Sequence, residues 1–139
     1  MNRADLQQLT EDRTLDAKAL LDAQRWSGAY YLAGYSVECA LKACVMAYVE
    51  RTGIIFRDKK FAERCWTHKI DQLVEAADLK IDRDRDAGLN PTLFQNWAIV
   101  KAWDEEARYN QWNEIEARRL YEAVTNNADG VLPWIKIHW

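Results

Sequence analysis

Glycine and proline are scarce in this chain, at five and two among 139 residues. So few turn-makers exclude a β fold built of many short strands and favour long helices. Histidine is scarcer still: only His68 and His138, far apart in sequence. There is no His-Glu-x-x-His pair and no glycine-rich loop that would cradle a phosphate. Ser27 and Ser36 lack the sharp-turn glycines of a hydrolase nucleophile. The three cysteines, Cys39, Cys44 and Cys65, are odd in number and have no metal-ligand spacing. Cys39 and Cys44 would point about 140° apart on a helix, and they read as small buried hydrophobes in a reducing compartment. No metal or cofactor is expected.

An excess of positive charge is also missing. The formal net charge of -3 argues against a broad nucleic-acid footprint but is compatible with a local cationic cleft. No charged-then-apolar leader opens the sequence. The longest apolar stretch, residues 29–49, is interrupted by Glu38 and Lys42, which makes it a poor membrane span. The expectation is a cytoplasmic protein with no membrane partner.

What the chain does contain is ordinary for a globular protein, 49% hydrophobic and 29% charged, and long enough for one domain over residues 1–139. Seven tryptophans read first as core filling and otherwise as interface anchors. Residues 3 to about 24 form an amphipathic pattern, with Leu6, Leu9, Ala17, Leu20 and Leu21 on one stripe. A short connection with Ser27 as N-cap leads to a second helix from about 28 to 52, stopped by Gly53. Its small residues Ala33, Val37, Ala40 and Cys44 share a face, and the short loop implies an antiparallel hairpin. A connection over 54–66 carries one turn around Lys59–Arg64. Thr67 is expected to cap a third helix whose stripe is Ile70, Leu73, Val74 and Ala77, with His68 in its first turn.

Residues 80–88 alternate in charge and read as a solvated linker. Asn90 followed by Pro91 starts a fourth helix expected to reach about Ala107. Asn113 and Glu116 make a capping-box pattern for a fifth, with Ala117, Leu120, Tyr121 and Val124 on its inner side. Asp129, Gly130 and Pro133 kink or restart it before a Trp-rich tail. The expected architecture is an all-α, up-and-down bundle of four to five helices with a short C-terminal helical extension.

Two places invite chemistry. Glu38 and Lys42 are an i,i+4 pair in the favourable order, in apolar surroundings where either charge left alone would be costly. Each needs a partner, and an arginine from another helix is the natural supplier. Residues 105–114 hold Arg108 and Tyr109 at a helix-to-helix corner. Arg108 suits a phosphate, while Tyr109 and Trp112 could stack a base. The structural alternative has Arg108 pairing with a carboxylate such as Glu38 while the aromatics plug the corner. His68 and His138 read as local decoration.

Three stretches in this order resemble the HEPN-domain superfamily of small helical bundles: "DAKALLDAQRWSGAYYLAGYSVECALKAC", "THKIDQLVEAA", and "ARYNQW" with the following "NEIEARRLYEAV". Together they cover most of residues 10–127. The resemblance implies a bundle of four or five helices, commonly a homodimer, with Glu38 and Lys42 facing a groove near Arg108. Many members are ribonucleases, often toxins paired with a nucleotidyltransferase-fold antitoxin. Their site carries an Arg, then four to six intervening residues, then a His. Here Arg108 matches, but Tyr109 follows it, and Asn113 or Glu114 stands where the His would fall. The expected function is therefore a binding module for a nucleotide, an RNA phosphate or a partner protein. Arg108 is its anchor, Glu38 the orienting partner, Lys42 a second cation, and Tyr109, Trp112 and Asn113 the wall. The rivals are a metal-independent ribonuclease drawing on Arg108 and His68, and a purely structural dimeric interaction module.

Overall fold

The computed structural model describes residues 1–54 and 59–139, and all regular structure among them is helical. Asn2 caps helix α1 (Arg3–Asp22), accepting from the Asp5 amide while the Asp5 side chain accepts from Asn2 N–H. Helix α2 (Trp26–Thr52) follows after three residues, and Gly53, at φ 71°, ends it in the left-handed conformation. An ion pair from Arg3 to Glu50, 3.2 Å, sets the start of α1 beside the end of α2, so the two are antiparallel as expected. Ser27 does not cap α2. That helix begins a residue earlier, at Trp26, and the Ser27 hydroxyl instead accepts from the Trp112 amide at 2.9 Å.

Helix α2 is the spine. It packs on α1, on α4 (Ile70–Ala76), α7 (Glu114–Thr125) and α8 (Val131–Lys136), and on a 3-10 turn at Glu105–Tyr109. By length and composition it could cross a membrane, yet 67% of its most apolar window is buried inside the molecule. Ala33, Val37, Ala40 and Cys44 are all buried, as the small-residue face predicts.

Among the described residues eight α-helices stand where four to five and a short C-terminal extension were expected, because two further stretches are helical. Helix α3 (Lys59–Trp66) fills part of the 54–66 connection, of which 55–58 lie outside the described residues. Thr67 does not cap the next helix. Its hydroxyl accepts from the Lys69 amide, α4 starts only at Ile70, and His68 stands in the loop before it. The supposed linker is helix α5 (Lys80–Leu89). Its alternating charges fall at helical spacing, Lys80–Asp84 and Asp82–Arg85, and Ala87 is buried. Helix α6 starts as expected, with Asn90 capping the Leu93 amide and Pro91 at its first position, but it ends at Lys101 rather than Ala107.

The reason for that early end is Trp103. It is 1% exposed and lies flat against Gly34 of α2, where an added Cβ would stand 2.3 Å from three ring atoms. Only a residue without a side chain admits the indole. Burying it pulls the chain out of helix, and Asp104 then caps the 3-10 turn through the Glu106 amide. The C-terminal tail folds back on the same chain. Trp134 meets Trp97 edge to face at 5.6 Å and donates to Asp86.

Candidate functional site

Tyr31, Tyr35, Glu38 and Lys42 follow one another along α2 at i, i+4, i+7 and i+11, so helical geometry places them on one face. The row spans roughly 16 Å. Glu38 is its buried member, 2% exposed, while Lys42 and His68 are 27% and 47% exposed. Both converge on the same carboxylate oxygen: Lys42 Nζ donates to Glu38 Oε1 at 2.8 Å, and His68 Nδ1 meets that atom at 2.6 Å.

Since Oε1 already accepts from an ammonium, it acts as acceptor to the imidazole as well, and Nδ1 carries the proton. The neutral tautomer then leaves Nε2 unprotonated. A buried carboxylate that fixes an imidazole in this way is the arrangement used to orient metal-binding and acid–base histidines. Among the described residues, however, no cluster of three or more His, Cys, Asp or Glu is placed to hold a metal ion.

The partner that Glu38 needs from outside its own helix is therefore His68, not Arg108. Arg108 sits further along the strip, in the 3-10 turn, with its guanidinium 4.8 Å from the Tyr109 ring centroid. Contact with Tyr109, and after it Tyr31, raises the Arg108 pKa, so its charge is permanent. Tyr31 in turn stacks with Tyr35 at 6.1 Å and lies 5.8 Å from Trp103. Burial, with the neighbouring Cys39 and Glu38, pushes the Tyr35 hydroxyl up to about 12. The loop carrying His68 and the turn carrying Arg108 are tied together by Lys69 and Asp104, 3.1 Å apart.

Trp112 and Asn113 do not join this strip. The Trp112 ring stacks on Tyr30 at 3.8 Å and its indole N–H donates to the Ala107 carbonyl. Tyr30 points about 100° away from Tyr31 around α2, so Trp112 wedges the corner from another side. Asn113 caps α7, accepting from the Glu116 amide at 2.8 Å. His138 packs 4.5 Å from Trp134 and far along the chain from the strip. Two members, Tyr31 and Tyr35, escaped the sequence reading although their spacing to Glu38 is helical. Their signal was present but submerged in a helix apolar on nearly every side. The strip as a whole offers two cations, an oriented imidazole, the half-buried rings of Tyr31 and Tyr35, and the ring of Tyr109, 71% exposed.

No protein-family model, curated protein or solved structure matches the chain.

Proposed function

We propose that the α2 strip is a binding groove for the phosphate and base of a nucleotide or single-stranded RNA. The protein would then be a helical-bundle module of HEPN type, up-and-down in its main helices. The observation that carries this reading is the row of complementary groups on one face. Arg108 and Lys42 supply cationic contacts at its two ends, and Tyr31, Tyr35 and Tyr109 supply stacking surface between and beside them. Stacking on aromatic faces together with cations that follow a phosphate backbone is how single strands are held without sequence readout. The net charge of -3 limits the groove to a few phosphates. A homodimer and a nucleotidyltransferase-fold partner belong to the same proposal.

The test is anisotropy of a labelled single-stranded RNA in the presence of a chelator. Arg108→Ala should weaken binding at least about fivefold and reduce the slope of log K against log salt by about 0.7. The variant's melting temperature should stay near that of the parent, since Arg108 is exposed. Equal affinity of parent and variant, or no binding by the parent, rejects the reading.

One observation favours a second reading, metal-independent cleavage: the 2.6 Å contact between Glu38 and His68. His68 Nε2 is then the general base or acid and Arg108 the phosphate anchor. In the same chelated reaction, RNA cleavage by the parent that is lost in a His68→Ala variant of unchanged fold supports it. Binding without cleavage leaves the first reading alone.

A further inference from the structure

We propose that the slot between α5 and α6, remote in sequence from the α2 strip, is a separate binding site for a small planar aromatic carboxylate. The cavity has a volume of about 280 Å³, close to the lower end of small-molecule pockets. Asp84, Ala87 and Gly88 of α5 form one wall, Phe94, Trp97 and Lys101 of α6 form the other, and Arg83 closes an edge. Positions 94, 97 and 101 recur at helical spacing on one face of α6.

Two recognition groups here, Phe94 and Lys101, have no other use. Phe94 is 61% exposed and stacks on no ring among the described residues. Trp97, 4% exposed, lines the slot, and its indole N–H, buried without a hydrogen-bond partner among the described residues, serves as a reporter of occupancy rather than a contact. Lys101 forms no ion pair among the described residues. Arg83, by contrast, is already committed. It pairs with Asp71 at 2.6 Å and Asp84 at 3.3 Å, and its guanidinium lies 5.4 Å from the Trp97 ring centroid. It is a fixed wall and holds Trp97 in place. A flat apolar ligand therefore meets small residues on one side and an aromatic ring on the other. Asp84 is held by Lys80 and Arg83, so among the described residues Lys101 is the uncommitted charge on the lining, and it selects an acid over its neutral analogue.

Gly88 makes the site testable. A Cβ built there meets nothing within 4 Å, and glycine inside a helix is replaced favourably by better helix formers. Gly88→Leu thus fills the slot without disturbing the packing. The experiment follows the Trp97 indole N–H by ¹H–¹⁵N NMR, assigned with Trp97→Phe, while phenylacetate, indole-3-carboxylate and neutral phenylacetamide are added. At least one acid should shift that resonance with a Kd of about 1 mM or tighter, with phenylacetamide at least about threefold weaker than phenylacetate. Gly88→Leu should abolish the shift, and Lys101→Gln should bring acid and amide to the same affinity. No Trp97 shift up to about 10 mM acid, equal affinity for acid and amide in the parent, or unchanged binding in Gly88→Leu each overturns the proposal. Should Gly88→Leu lose its fold, the Lys101→Gln comparison decides alone. Arg108→Ala should bind the acids as the parent does, which separates this site from the groove.

Discussion

Helix α2 presents two faces built on opposite terms. On one, Ala33, Val37, Ala40 and Cys44 are buried where α2 packs on its neighbouring helices. On the other, a carboxylate almost as deeply buried is held by an ammonium and an imidazole. The first face is held by volume: close packing leaves no room, and added atoms are felt at once. The second is held by valence: what matters there is how many donors the acceptor keeps. A helix apolar nearly all round can thus carry Glu38 in its middle, because the loop before α4 and the helix's own next turn each bring it a donor.

Gly34 is where the first term is strictest. Gly34→Ala should destabilise the protein by about 3 kcal/mol, at the upper end for overpacking, because the indole that the new methyl meets is rigid and fully enclosed. Urea unfolding measures it, and a loss under about 1 kcal/mol would mean that Trp103 can slide aside. One turn further along α2, Glu38→Ala should cost about 2 kcal/mol, the loss of a buried charge-assisted pair whose partners can still reach water. Glu38→Gln keeps the shape and one acceptor oxygen, and should recover part of that loss in the same urea experiment. A neutral Glu38→Ala would show that this face is not governed by its hydrogen bonds.

Alkaline pH probes both faces together. Burial pushes Cys44 on the first face up to about 12 and Cys39, beside Tyr35, up to about 11. Folding thus favours the protonated thiols. The unfolded chain ionises them from about pH 9, so above that point it binds fewer protons than the native state and stability falls as pH rises. The contribution is fully present below about pH 9 and lost through pH 11 to 12, and the loss at pH 10 is about 1.4 kcal/mol per thiol. Unfolding midpoints at pH 8, 9 and 10 should decline for the parent and decline less for Cys44→Ala, measured against its own value at pH 8. A parent curve flat over that range would contradict the burial of both thiols.

The sequence was legible wherever a local rule decided the outcome. Gly53 ended α2, Asn90 with Pro91 opened α6, Asn113 capped α7, and the small-residue face of α2 went to the core. Each depends on residues within a turn or two. It was illegible where a contact distant in sequence overrode local preference. Nothing near Lys101 says that the helix must stop there; the cause is Trp103 meeting Gly34, 69 residues earlier. Residues 80–88 read as linker because their charges hide a helical spacing that only the buried Ala87 anchors. The need of Glu38 for a partner was readable from burial alone. Its supplier was not, since His68 reaches it from a loop whose position only the packing of α4 on α2 determines.

The smallest effects should come from Lys42 and His68 taken singly. Both donate to one oxygen of Glu38, so removing either leaves the carboxylate with the other donor. The two side chains are also part-exposed, which screens the interaction that each supplies. Lys42→Ala and His68→Ala should therefore each cost about 1 kcal/mol or less. Removing both leaves a buried carboxylate with neither donor, and that loss should exceed the sum of the singles by about 1 kcal/mol. A double-mutant cycle in urea reads the excess directly. Additive losses would mean that water replaces the missing donors freely, and that the face carrying Glu38 is wetter than its 2% exposure implies. A clear excess would mark Glu38 as the point where this face of α2, like the Gly34 contact, tolerates almost no substitution, though for want of donors rather than want of space.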